Sequence, residues 1–225
     1  MKRTSARSTI DQNGFTIIEL MIATLVFSII LLVITVGVIN FTRSYYRGIN
    51  TSTTQGISRS AIDNIAQAIQ FTGSQIQTGP NVVCVGNQQY SYRIGKKLST
   101  TAAADTATKV LYETAKGASC TADFVSAGKE LLGTNMRLAS FTVTNLPAPQ
   151  NNLWTVSMRI AYGDIDLLCN PSIASASPGG CGKNAAPMSA AQALAAPNMS
   201  CRPSDASQFC SISALSTTVV KRMLQ

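Results

Sequence analysis

The sequence has 225 residues, with 18 lysines and arginines against 10 acidic residues, no histidine, and a formal net charge of +8. The missing histidine removes Ser-His-Asp and Cys-His catalysis and the usual zinc sites, and no P-loop or dinucleotide fingerprint occurs, so the composition points away from an enzyme and implies no cofactor. Net basicity suits nucleic acid or an anionic surface, but Arg43, Arg47, Arg59, Lys96, Lys97, Lys109, Lys116, Lys129, Lys183 and Arg222 form no cluster with interleaved aromatics, and a solvated surface is the expected reading.

In chain order, the first segment is MKRTSARSTIDQNG, residues 1–14, short, polar and basic. It leads into a stretch from Leu20 to Thr42 without a charged residue, long enough to cross a hydrocarbon core as a helix. No small-residue cleavage site of the secretory type follows it. The positive-inside rule keeps the basic leader in the cytoplasm and puts the larger part outside, although Arg43 and Arg47 on the far side weaken the asymmetry. One carboxylate, Glu19, stands at the start of the run, where an unpaired charge deep in a bilayer would cost about 2.5–3.5 kcal/mol on insertion scales. Such a charge is a functional residue by expectation.

Gly14-Phe15-Thr16-Ile17-Ile18-Glu19-Leu20, a basic leader ending in Gly, then Phe, a Glu four residues later and an unbroken apolar run, resembles the class III signal of type IV pilins and type II secretion pseudopilins. The resemblance covers about residues 1–45. It implies cleavage between Gly14 and Phe15 by a membrane prepilin peptidase, N-methylation of the new Phe15 amine, and assembly with other pilin subunits by inner-membrane machinery. It also implies that Glu19 meets the N-terminal amine of a neighbouring subunit. Many members of that family carry a helix-kinking proline about where Val36 and Gly37 stand; glycine weakens a helix by about 1 kcal/mol without forcing a bend, so a bend there is left open. The outward part is larger and more irregular than a bare major-pilin head, which favours a minor pilin. The alternatives are a secretion pseudopilin and a single-pass anchored protein that binds DNA or cell surfaces.

Beyond Arg43, Ile49, Ile57, Ala61, Ile62, Ile65 and Ile69 approximate one helical face. A helix from about residue 16 to 71 would be roughly 80 Å long at 1.5 Å per residue. Residues 72–80 read as its exit loop. Strand character follows at 82–94, 109–114, 136–146 and 153–163, with alternation at Thr142, Thr144 and at Val156, Met158, Ile160, a hairpin loop at 147–152, and a helical turn at 124–132. Residues 170–200 read as an irregular excursion, and 211–224 as a last strand. The expected fold class is α+β and pilin-like: a long N-terminal helix packed on an antiparallel sheet, with a disulfide-stapled C-terminal region. The expected divisions are a leader at 1–14, a transmembrane and assembly helix at 15–42, its amphipathic half at 43–72, and a β-rich extracytoplasmic domain at 73–225.

The six cysteines lie beyond residue 80 and form no C-x-x-C pair, so disulfides in an oxidising compartment are expected. Cys84 with Cys120 would tie neighbouring parts of the sheet. Of the three pairings open to the rest, the nested one, Cys169 with Cys210 and Cys181 with Cys201, would clamp the excursion at its base. Asp164 and Asp166 are spaced to share one strand face, but two carboxylates make an incomplete cation cage, and no metal is expected there.

Overall fold

A computed structural model describes residues 14, 16–148, 152–171, 181, 186–195, 198–203 and 207–222. The chain divides into two compact units, Met1–Arg43 and Ser44–Gln225.

Helix α1 (Ile17–Phe71) is 55 residues long and unbroken at Gly37. From Thr16 to Arg43 none of its residues is buried. The hydroxyls in that stretch satisfy themselves: Ser28, Thr35 and Thr42 each donate to the carbonyl four residues earlier, and Thr24 to the carbonyl of Met21. An apolar helix can therefore carry four hydroxyls without presenting unsatisfied donors to its surroundings.

In the second unit, α1 buries Thr54, Ser58, Ala61, Ile62, Ile65 and Ile69, a stripe at helical spacing. Thr54 and Ser58 occupy the buried stripe because their hydroxyls donate to Asn50 O and Thr54 O, both at 2.7 Å. Ile57 packs at the margin of the core, whereas Ile49, expected on the same face, is 43 % exposed.

The strands are β1 (Ile76–Gly79), β2 (Val82–Val85), β3 (Gln88–Tyr92), β4 (Lys97–Leu98), β5 (Thr106–Ala107), β6 (Leu111–Ala115), β7 (Gly128–Glu130), β8 (Met136–Asn145), β9 (Leu153–Tyr162), β10 (Leu168–Cys169), β11 (Ser200–Cys201) and β12 (Ser211–Val220); a short helix α2 (Ala190–Ala195) precedes β11. They form a five-stranded sheet in the order β1-β2-β3-β6-β7, a second in the order β12-β9-β8-β4-β5, and a β10-β11 pair. All pairings are antiparallel except β4 with β5. The α+β class stands, with the one expected sheet replaced by two. Val83, Val85, Tyr90 and Leu111 of the first sheet and Leu138, Phe141, Val143, Val156, Met158 and Ile160 of the second share one core with Ala61, Ile62, Ile65 and Ile69 of α1.

Period-two alternation places Val156, Met158 and Ile160 inward, as read from sequence. In β8 the phase changes at a bulge between Leu138 and Ser140, which lets Leu138 and then Phe141 and Val143 all reach the core. Three other sequence expectations are corrected. The exit loop contains β1, because Ile76–Gly79 finds β2 as an antiparallel partner. Residues 82–94 hold a hairpin, turned at Gly86 with φ 61°. Residues 128–130 form β7 on the edge of the first sheet rather than a helical turn, with Glu130 accepting the main-chain N–H of Val110, Leu111 and Leu132.

The excursion is less irregular than its composition suggests. Leu168, Met188, Ala193 and Met199 make a second small core against Ala139, Ala161 and Cys210. Gly95, at φ 77°, lies so close to the main chain of Ala193 and Leu194 that no Cβ would fit. The expected Cys84–Cys120 bridge is present, but the nested pair is not: Cys169 joins Cys181 and Cys201 joins Cys210. In the β10-β11 register Leu168 faces Cys201 and Cys169 faces Ser200, so the two cysteines project from opposite faces of the ladder, each toward its own partner.

Arg137 is fully buried on β8 and is held by Asp105 and by the carbonyls of Gly95 and Asp105. The guanidinium thereby fixes the loop between β4 and β5 to the second sheet. The Arg137 hydrogen bond, and then its charge, hold the Asp105 carboxyl below its ordinary value.

Candidate functional site

The residues singled out by sequence gather at the start of α1. Gly14 is exposed, and a side chain built on it would meet nothing within 4 Å. The leader 1–13 and Phe15 lie outside the described residues.

Thr16 and Glu19 form a reciprocal cap. The Thr16 N–H donates to Glu19 Oε2 at 2.9 Å, its hydroxyl donates to the same oxygen at 2.8 Å, and the Glu19 N–H donates to Thr16 Oγ1 at 3.3 Å. This is a capping box, which satisfies two main-chain donors that a helix start leaves orphaned. The signal was legible as Thr-x-x-Glu, yet the sequence reading looked for the Glu19 partner only in another subunit. Within one chain the carboxylate already has a neutral partner. Glu19 Oε1 accepts no hydrogen bond among the described residues, so the group has capacity for a cation as well.

After Glu19, the side chains of Leu20 to Phe41 form a continuous exposed apolar surface, and α1 is long and apolar enough to cross a membrane with none of its most apolar window buried in the protein. Such a surface stays largely in contact with its surroundings, so most of its hydrophobic driving force is left for lipid or for another helix.

The other candidates separate. Asp164 lies just past β9, preceding a 3-10 turn (Ile165–Leu167), not on a strand face with Asp166, and it is paired with Lys97 at 2.5 Å. Among the described residues no three His, Cys, Asp or Glu side chains come together as a metal site. All six cysteines are in bridges, which fits the oxidising side of a membrane.

Residues 10–35 match the family model described as the prokaryotic N-terminal methylation motif. That motif is the class III signal of type IV pilins and pseudopilins, and with the apolar helix it supports membrane anchoring of the precursor. No curated protein and no solved structure matches the chain.

Proposed function

We propose that the chain is a non-enzymatic structural subunit, a minor pilin, of a type IV pilus or related filament. The observation that carries this reading is the methylation motif running into a helix that buries nothing of its own between Thr16 and Arg43. The precursor sits in the cytoplasmic membrane with the disulfide-bonded domain outside. Prepilin peptidase cuts between Gly14 and Phe15, Phe15 is N-methylated, and the inner-membrane machinery packs the helix against those of other pilin subunits in a surface filament.

Glu19 serves docking in this scheme. Cleavage creates an ammonium at Phe15, and a packed apolar filament core strips water from both charges. A buried charge without a partner is expensive, so a neighbour's amine opposite Glu19 would reward the correct axial register. The capping box keeps the carboxylate satisfied until then.

Competition between wild type and Glu19→Ala in the same cells tests the reading. The mutant is expected to insert and to be cleaved normally, yet to be strongly depleted from sheared surface filaments. Equal incorporation would remove the docking role, and absence of the wild-type chain from all filaments would remove the pilin reading in favour of an anchored binding protein.

A further inference from the structure

Immediately after the uncharged run, α1 reads Arg43-Ser44-Tyr45-Tyr46-Arg47, and no acidic residue follows until Asp63. Tyr45 and Tyr46 are exposed and meet edge-on with ring centroids 6.2 Å apart. A third ring comes from a distant part of the chain: Phe209 lies 6.0 Å from Tyr46, centroid to centroid, and is 45 % exposed. Phe209 is held in place by its surroundings. It ends a 3-10 turn (Ser207–Phe209), the next residue is bridged to Cys201, and Asn50 Nδ2 donates to Gln208 O at 2.9 Å. Arg47 and Arg202 line one cleft together with Ser207, and Arg202 donates to Asp166 O.

We infer that this aromatic and arginine patch, to which Arg202 and Phe209 contribute from beyond the helix, docks on the headgroup layer of the bilayer. Tyr46 is four residues beyond Thr42, roughly 6 Å along a helix, so Tyr45 and Tyr46 fall by chain count alone within the interfacial layer that flanks a hydrocarbon core. Tyrosine suits that layer because its ring is apolar and its hydroxyl is wet, and arginine suits it because guanidinium pairs with phosphate. A free aqueous surface would not favour keeping three exposed rings together. The inference also accounts for Arg43 and Arg47, which run against the positive-inside bias: their partners are lipid phosphates on their own side of the membrane. It rests on the apolar half of α1 lying in a bilayer, not on assembly into a filament.

The full-length chain reconstituted in phosphatidylglycerol-containing vesicles tests it. Trp154, the single tryptophan, is replaced by Phe, and one reporter is placed per variant: Phe209→Trp in the patch, Leu31→Trp in the span, and Val125→Trp at a site 93 % exposed. Mass spectrometry of the three intact disulfides verifies folding of each variant. The Phe209→Trp emission is expected to shift to the blue and to lose most of its intensity to headgroup spin-labelled lipid, while staying shielded from iodide. Val125→Trp should show the reverse, and Leu31→Trp should respond to acyl-chain labels. If Phe209→Trp matches Val125→Trp while Leu31→Trp responds to lipid, the patch does not dock and the inference is overturned with the span intact. If Leu31→Trp ignores lipid labels, the span reading fails and the inference with it. Iodide shielding of Phe209→Trp that appears only at high protein density, without quenching by labelled lipid, assigns the patch to a second copy and likewise overturns it.

Discussion

The two parts of α1 belong to one unbroken helix and dispose their apolar side chains in opposite ways. From Thr16 to Arg43 every residue is exposed, while from Thr54 onward the helix buries Thr54, Ser58, Ala61, Ile62, Ile65 and Ile69 against two sheets. The second stretch has its partners inside the chain: a shared core, a buried Arg137–Asp105 pair and three disulfides fix the elements around it. The first stretch satisfies only its hydrogen bonds, through the Thr16–Glu19 cap and the back-bonded hydroxyls. Its apolar surface is left exposed among the described residues. Stability is thus concentrated beyond Arg43, and the proposed assembly role lies before it.

Mutations should therefore divide by region, with effects on maturation and assembly from one and effects on folding from the other. The largest effect is expected from Gly14→Val. Because a side chain there meets nothing in the folded chain, the variant should fold and insert normally yet remain uncleaved, as seen by peptidase assay and mass. Normal processing would break the comparison at its root.

On the folding side, the bridge closing the longest segment should matter most. Cys84–Cys120 spans 36 residues against 12 and 9 for the others, so chain-entropy arguments give about 4 kcal/mol for its loss and about 3 kcal/mol for each of the others. Urea transitions of paired Cys→Ser variants would check the ranking.

Asp105→Ala should follow, at about 3 kcal/mol, since it leaves a fully buried guanidinium with only carbonyl acceptors. The pair has a pH signature as well. The Asp105 carboxyl is held below 3.8 by its Arg137 hydrogen bond, so its contribution is present above the unfolded value and is lost as pH falls through the depressed one. Glu130 has the opposite sign: burial raises its carboxyl above 4.5, so its contribution is greatest in acid and is lost as pH rises through the raised value. Acid titration of stability should flatten in Asp105→Asn and steepen in Glu130→Gln.

The smallest effect is Thr16→Val, which removes the cap and should weaken the first turn of α1 by about 1 kcal/mol. Hydrogen exchange of the first-turn amides in micelles would rise, while urea transitions of the unit beyond Arg43 stay unchanged. A shift of those transitions would mean that the two regions are coupled.

Much of this was legible in the residues because the signals are local. An uncharged run of this length, isoleucines at helical spacing and alternation in 153–163 each reflect one element's own periodicity. What escaped the reading depends on neighbours distant in sequence. β1 and β7 are too short to show alternation and exist because β2 and β6 offer them edges. Thr54 and Ser58 are buried though polar, because back-bonding hides their hydroxyls. The β10-β11 register, which sets Cys169 and Cys201 on opposite faces, and the buried pairing of Arg137 with Asp105 both join residues that the sequence keeps apart. At the site the missed feature was local after all: Thr16-x-x-Glu19 is a capping signature, and attention to the carboxylate's charge obscured its hydrogen bonds.

The central claim is that the mature chain begins at Phe15, just before the exposed stretch of α1, which is thereby released for assembly. Intact mass and N-terminal sequencing of the membrane-extracted protein test it most directly. The account predicts a chain that starts with N-methylated Phe15 and keeps all six cysteines oxidised; a protein that retains Met1 and the basic leader in cells with active prepilin peptidase would contradict it.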